Sequence, residues 1–442
     1  MRRTGTFLAR TTRARRGRLA LVVLAWLLAP GCGDSGEEAK ASGEESAAAE
    51  KAPPPFETPP VLQAADVVRD DLRSGPDFSL ADAVHNDGFM NRYRIRSTWG
   101  EIDVVSTPLL RKRVREIYAI RQIEELSKTK EFAKGVGEAG KGAARGAVHL
   151  VTDPVDTVSS AASGVGKLFG MAKKSVSGDK DKASDTEDST WKQAAGYAQT
   201  KRNYAKELKI DVYTRNPLLE KRLDDLAWAG WAGGITGGLA MVAIPGGIGV
   251  AVSVSKNTDL LNRIDVTRPP SEIRKDNGGK LRAMGIPADS VDRFLDDSTL
   301  SPTEQTLIVV ALEDMETTEG RGHFLDFATG APDADVASFA VLQATLFSRY
   351  HASQAPIARF QPIGQRLVAR TEDGSAVGIH PTDHLFWTES AAAIADSADP
   401  QLTDAPHKFL WVGGRASDAA RQGLASKGWE VREGALDALS GG

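Results

Sequence analysis

Apolar and polar positions change period several times along this chain, and each change predicts an element. Tyr93-Arg94-Ile95-Arg96-Ser97 alternates, Thr98-Trp99-Gly100 turns, and Ile102-Asp103-Val104-Val105 returns. Period-two runs around a short turn predict a β-hairpin. From about residue 108 the period becomes helical, with Leu110, Val114, Ile117, Ile120, Ile123 and Leu126 recurring every three or four residues. That spacing predicts a helix laying one wide face on the hairpin. A second amphipathic stretch opens at Asp153-Pro154 and places Val155, Val158, Ala162, Val165, Phe169, Ala172 and Val176 on one stripe. Its apolar residues are mostly small, so packing on the protein's own core is favoured over lying on a lipid surface. Polar residues at 177–190 predict a solvated loop, and helical pattern resumes near Trp191 and after Asn216-Pro217.

Residues 226–255 carry no charged side chain. The run is long enough to span a bilayer, and Trp228 and Trp231 lie near one end. Gly233/Gly237 and Gly234/Gly238 repeat at the spacing that lets helix backbones approach closely, and Pro245-Gly246-Gly247 would turn a helical hairpin. Two readings follow: the buried centre of a helical domain, or a hairpin that inserts in membrane. The short arm after Pro245 and the many glycines favour the buried one.

Beyond Pro269-Pro270 the signals are again helical. Ser301-Pro302-Thr303-Glu304 is a capping box opening a helix through 307–312, and 333–350 is another, with shorter helices near 271–284 and 290–295. From about 357 the period returns to two. Residues 365–370 and 376–379 flank the turn Asp373-Gly374 as a hairpin, which 385–387 would extend. Phe409–Val412, a helix over 417–427 and Trp429-Glu430-Val431 then make one β-α-β unit.

The expected fold is α+β and mainly helical. Its parts are an N-terminal hairpin with long helices (61–176), the loop 177–190, a helical region holding the uncharged run (191–268), a helical unit (269–356) and a small α+β domain (357–442). Ahead of them lie a signal stretch (1–31) and a segment at 32–60 rich in Gly, Ser, Ala, Glu and Pro. That segment has too little apolar surface to offset its ordering entropy, and it ends in proline pairs that stiffen it, as a tether would.

The signal stretch determines the expected address. Arg2, Arg3, Arg10, Arg13, Arg15, Arg16 and Arg18 precede an apolar stretch at 19–29, and no acidic residue appears before Asp34. Basic, apolar and small-residue regions in that order make an export signal. The boundary Leu28-Ala29-Pro30-Gly31-Cys32 resembles the lipobox of bacterial lipoproteins, and Cys32 is the chain's one cysteine. The resemblance covers these first 32 residues alone. It implies cleavage before Cys32, acylation of its thiol and new amine, and attachment to a cell-envelope membrane. Several acyl chains at roughly 0.8 kcal/mol per buried methylene make such an anchor effectively permanent. If enterobacterial sorting applies, Gly33 rather than aspartate after Cys32 resembles an outer-membrane destination over an inner one.

Charge narrows the partners. The chain has 55 Lys+Arg against 59 Asp+Glu, a net of −4, and removing the seven signal arginines leaves a mature net near −11. Nucleic acid, which needs clustered basic residues, is excluded as a main partner. With Cys32 acylated, neither a disulfide nor a cysteine metal site is available.

Candidate chemistry is sparse. His380, Asp383 and His384 are sound zinc ligands by type, with Glu389 nearby, and their spacing formally resembles an H-x-x-E-H motif with aspartate for glutamate. That motif needs a helix, whereas Pro381 follows a strand-like stretch. Gly413, Gly414, Arg415 and Ser417 lie between a strand and a helix, where backbone N–H groups hold anions. A tight turn with Ser417 as N-cap explains the same residues. His85-Asn86-Asp87-Gly88 is an imidazole–carboxylate pair or a simple turn. No G-x-S-x-G elbow is present. The expectation is a non-enzymatic binding or scaffolding protein, with no cofactor, held to membrane through Cys32 and meeting protein partners in the envelope. The alternatives are a protein inserting 226–255 and an envelope metal-dependent hydrolase.

Overall fold

The computed structural model describes residues 55–129, 132, 185–235, 264–265, 267–364 and 366–439. The signal stretch, Cys32, most of the tether, the amphipathic stretch from 153 to 176, and 236–255 of the uncharged run lie outside them. All described residues belong to one unit, Pro53–Gly442.

Its N-terminal part is a curved antiparallel sheet. It contains β1 (Leu62–Gln63), β2 (Ser74–Gly75), β3 (Phe78–Leu80), β4 (Ala83–Asn86), β5 (Asn91–Ser97) and β6 (Gly100–Val105), with two short helices, α1 (Ala64–Val67) and α2 (Asp70–Arg73), between β1 and β2. β6 runs antiparallel along one edge of β5, while β4 and β3 share the other edge, one at each end. Alternation fixes the faces: Tyr93, Ile95 and Val104 are buried, whereas Arg94 and Arg96 point outward and pair with Asp103 and Glu101 across the strand.

α3 (Thr107–Ser127) follows, with Pro108 in its first turn and Ser106 accepting the Leu109 N–H. At 1.5 Å per residue it is about 30 Å long, whereas six or seven strand residues span only about 20 Å. It therefore outruns the sheet. Leu110, Val114 and Ile117 pack with Tyr93 and Ile95, while Ile120, Ile123 and Leu126 join a second core. That second core is completed by Tyr204 of α4 (Asp185–Glu207) and by Leu219, Leu223 and Leu226 of α5 (Pro217–Ala232). α4 begins at Asp185, so residues 185–190, expected to be loop, are helical. The start of the uncharged run is in α5: Leu226, Ala227 and Ala229 are buried, Trp228 is 45% exposed, and the Tyr204 hydroxyl donates to the Ile235 carbonyl. Among the described residues no helix is long and apolar enough to cross a membrane.

The C-terminal part layers helices on both faces of a sheet. α6 (Pro270–Ala283), α7 (Ala288–Asp296), α8 (Pro302–Glu313), α9 (Arg321–Ala328) and α10 (Ala334–Ser353) come first, and α8 starts at a complete capping box between Ser301 and Glu304. β7 (Ile357–Ile363), β8 (Arg366–Thr371) and β9 (Ala376–His380) are antiparallel neighbours. β10 (His384–Leu385) follows β9, and α11 (Glu389–Ala398) then leads to β11 (Lys408–Val412). After β12 (Arg415–Ala416), α12 (Asp418–Ser426) leads to β13 (Trp429–Arg432), and α13 (Ala435–Ala438) closes the described chain. The sheet order is β13-β11-β9-β8-β7, with β9, β11 and β13 parallel.

Leu367, Ala369, Val377 and Ile379 face a core shared with Phe324 of α9 and Phe347 of α10. Val368 and Ala376 face the opposite core, with α11 and α12. Burial on both faces is the pattern of a sheet covered by helices. The helical unit 269–356 and the domain 357–442 thus divide one core between them. Residues 385–387 do not extend the β8–β9 hairpin: Pro381 ends β9, and β10 pairs in parallel with β12.

Candidate functional site

The two loops singled out in the sequence meet. β9 and β11 end together, His380 opposite Val412, and each chain turns past its strand. The Gly413 N–H donates to the His380 carbonyl at 2.8 Å, Gly414 N–H to Thr382 at 2.7 Å, and Arg415 N–H to Asp383 at 3.1 Å. Ser417 N–H donates to Leu385, and Ala416 N–H to the Glu433 carboxylate. The backbone donors expected to hold an anion therefore already have acceptors within the chain. The glycines answer another need: a Cβ at Gly414 would lie 2.0 Å from the Asp383 carbonyl oxygen, and one at Gly413 2.8 Å from that of Thr382. Ser417 caps α12 by accepting the Ala420 N–H.

Asp383 is the hub of the other loop. Its buried carboxylate accepts the Asn91 N–H at 3.0 Å and the Thr107 N–H at 2.9 Å. Thr107 opens α3, so the carboxylate also sits at the positive end of a long helix. Burial pushes the Asp383 carboxyl up, and the two N–H bonds pull the other way. Tyr93 stands next to it, its hydroxyl 2.7 Å from Thr107 Oγ1 and accepting from Asn91 Nδ2. Burial first and the Asp383 charge second raise the phenol. The backbone N–H groups of Asp383 and His384 both donate to the Phe89 carbonyl, and that of Phe386 donates to Gly88. The turn after His85 is thus a plug for the carboxyl end of the parallel strands: Asp87 accepts the Phe89 and Met90 N–H groups, and Gly88 takes a φ of +105°.

The imidazoles are engaged separately. The His380 ring packs 4.9 Å from Phe339 and 6.3 Å from Phe89, and desolvation, then Arg366, pushes its pKa down to about 4. His384 stacks on Phe386 at 4.2 Å and is also lowered, by desolvation and then by Arg415. Among the described residues no group of three or more His, Cys, Asp and Glu is placed to hold a metal ion. Neutral rings against aromatic faces and a carboxylate bonded to two N–H groups form a mechanical joint. They bring the hairpin, α3 and the C-terminal sheet to one point.

Several polar residues of comparable weight make long-range bonds that no sequence signal points to, Glu304 being legible only as part of its capping box. Glu116, 3% exposed, accepts from Arg113 at 2.7 Å, Thr214 at 2.7 Å and Asn216 at 3.0 Å. Asp211 accepts from Thr303, and Glu304 from Ser338 and Arg215. Glu57 reaches Trp387 and Ser417. Each joins segments far apart in sequence, a relation that no local spacing encodes. In comparison with known proteins, no family model matches the chain, and neither a curated protein nor a solved structure matches it.

Proposed function

We propose that the protein is a lipid-anchored lipoprotein of a bacterial cell envelope, held through Cys32 and acting by binding or scaffolding rather than catalysis. The lone cysteine behind a basic–apolar signal, with the Pro-rich 32–60 tether after it, supports the anchor. The observation that carries the binding role is the commitment of both candidate loops to internal bonds. Asp383 is spent on Asn91 and Thr107, and the N–H groups at 413–417 on carbonyls and Glu433. A site for hydrolysis needs groups free to meet a substrate, and these are employed in holding elements together. The acidic mature chain favours protein partners over nucleic acid. The run 226–255 is read as a buried helical hairpin, supported by the packing of Leu226, Ala227 and Ala229 against Tyr204 and Leu223.

Labelled palmitate supplied to a bacterial host expressing the full chain tests the anchor. The expected result is label on the wild type, none on Cys32→Ala, and release of that variant from the membrane pellet. An unlabelled wild type, or a Cys32→Ala chain that stays in the pellet after alkaline carbonate, would overturn the reading.

A further inference from the structure

At the N-terminal edge of the described residues, Glu57 hydrogen-bonds to the folded body. Along 55–61, Phe56 is 60% exposed and Val61 53%, while Glu57 turns inward. The Glu57 N–H donates to the Trp387 carbonyl at 2.8 Å. Its carboxylate accepts the Trp387 N–H at 2.7 Å and the Ser417 hydroxyl at 2.5 Å. Trp387 itself is 2% exposed, and its ring packs on Gly423 of α12.

The chemistry is that of strand addition at an edge. Along 384–387 the backbone groups alternate sides. His384 and Phe386 donate to the 88–89 turn, and on the other side the Leu385 carbonyl takes the Ser417 N–H. One step further β12 has left into α12, so Trp387 would present an N–H and a C=O without a strand beside them. Glu57 fills that place, its N–H meeting the carbonyl and its carboxylate standing where a strand carbonyl would be. Prolines at 53–55, 59 and 60 lack N–H groups and cannot lengthen the ladder, so the contact stays one residue long.

We infer that residues 55–61 are a displaceable strap, and that the Trp387–Ser417 edge beneath it is a docking site for an extended partner segment bearing an acidic side chain. Such a segment would repeat the Glu57 bonds: main-chain pairing for affinity, and a carboxylate on the Trp387 N–H and Ser417 hydroxyl for specificity. In the closed form the strap is its own competitor. It is joined to β1 by a few residues, which gives it a millimolar-range effective concentration that a free peptide at micromolar level does not overcome. The inference deepens the binding role proposed above but is independent of Cys32, so the palmitate experiment and the one below fail separately.

The probe is a fluorescent peptide with the sequence of residues 53–62, titrated onto the full-length chain by anisotropy. Glu57→Ala, on an exposed strap, removes both carboxylate bonds and leaves the strap one main-chain bond, without touching a core. The expected result is at least tenfold tighter peptide binding by Glu57→Ala than by wild type. A second peptide with glutamine replacing its glutamate should lose at least tenfold on the same variant. Hydrogen exchange gives a second reading: the Trp387 amide should exchange at least tenfold faster in Glu57→Ala and slow again when the acidic peptide is added. Unchanged Trp387 exchange in Glu57→Ala would overturn the strap. Equal binding of acidic and amide peptides, or binding of neither while exchange is faster, would overturn the docking site.

Discussion

The His380 ring packs by Phe339 and Phe89, and desolvation, then the Arg366 charge, favours its neutral form. Its ordinary pKa of 6.5 is pushed to about 4 in the folded chain. Between those values the unfolded chain takes up a proton on the ring and the folded chain does not. Stability therefore falls as pH drops from about 6.5 to 4, by an amount on the order of 3 kcal/mol for this group. Asp383 acts with the opposite sign. Its raised carboxyl keeps a proton that the unfolded chain has released, so its contribution falls as pH rises through the carboxylate range. His384 is lowered as His380 is and has the same sign. Urea unfolding at pH 4.5 and pH 7 separates them: His380→Gln should show a clearly shallower loss toward acid than wild type. Identical slopes would mean that the ring is solvated in the folded chain. At this scale the sequence identified His380, Asp383 and His384 as unusual by residue type. Their surroundings come from Phe339, Phe89, Asn91 and Thr107, far away in the chain, which is why a metal or anion site and a structural joint looked alike.

α3 shows the same division between local and distant causes. Its length and apolar face are legible in the three-and-four spacing from Leu110 to Leu126, because a helix writes its own period. That the face changes partner midway, from sheet to α4 and α5, follows from its outrunning the strands and is not written in the spacing. Nor is its second cap: Ser106 adjoins the helix in sequence, whereas Asp383 reaches Thr107 across 276 positions. Removing that carboxylate leaves the N–H groups of buried Asn91 and part-buried Thr107 without acceptors, at a cost of about 2–4 kcal/mol. Asp383→Ala should lower the free energy of unfolding by that amount and speed amide exchange in the first turn of α3. Asp383→Asn retains one acceptor oxygen and should fall between. If alanine costs less than about 0.5 kcal/mol, Asp383 does not join the two parts. The β-α-β unit around α12 was readable for the reason α3 was, since both strands and the helix are contiguous. The place of β10 was not, because its partner β12 lies beyond α11 and β11.

The largest feature that the chain's pattern conceals is the sharing of one core by 269–356 and 357–442. Helical periods end near 353 and strand periods begin at 357, so a boundary there is the natural reading. Yet Ile357, Phe360, Leu367, Ala369, Val377 and Ile379 bury one face of the sheet against α9 and α10, with Phe324, Phe347 and Phe360 in mutual edge and tilted contact. A fragment beginning at 357 would expose that whole face to water, and an apolar patch of several hundred Å² is an aggregation surface. A fragment beginning at 269 retains both faces. It loses the Asn91 and Thr107 donors of Asp383, but the freed carboxylate then meets solvent instead of staying buried and unpaired. Residues 269–442 should therefore fold as a monomer with one cooperative transition, and residues 357–442 should aggregate or bind hydrophobic dye without one. Dispersed, monomeric spectra from 357–442 alone would show that α11 and α12 suffice to support the sheet. The face against α9 and α10 would then be an interface between two domains and not a core they share.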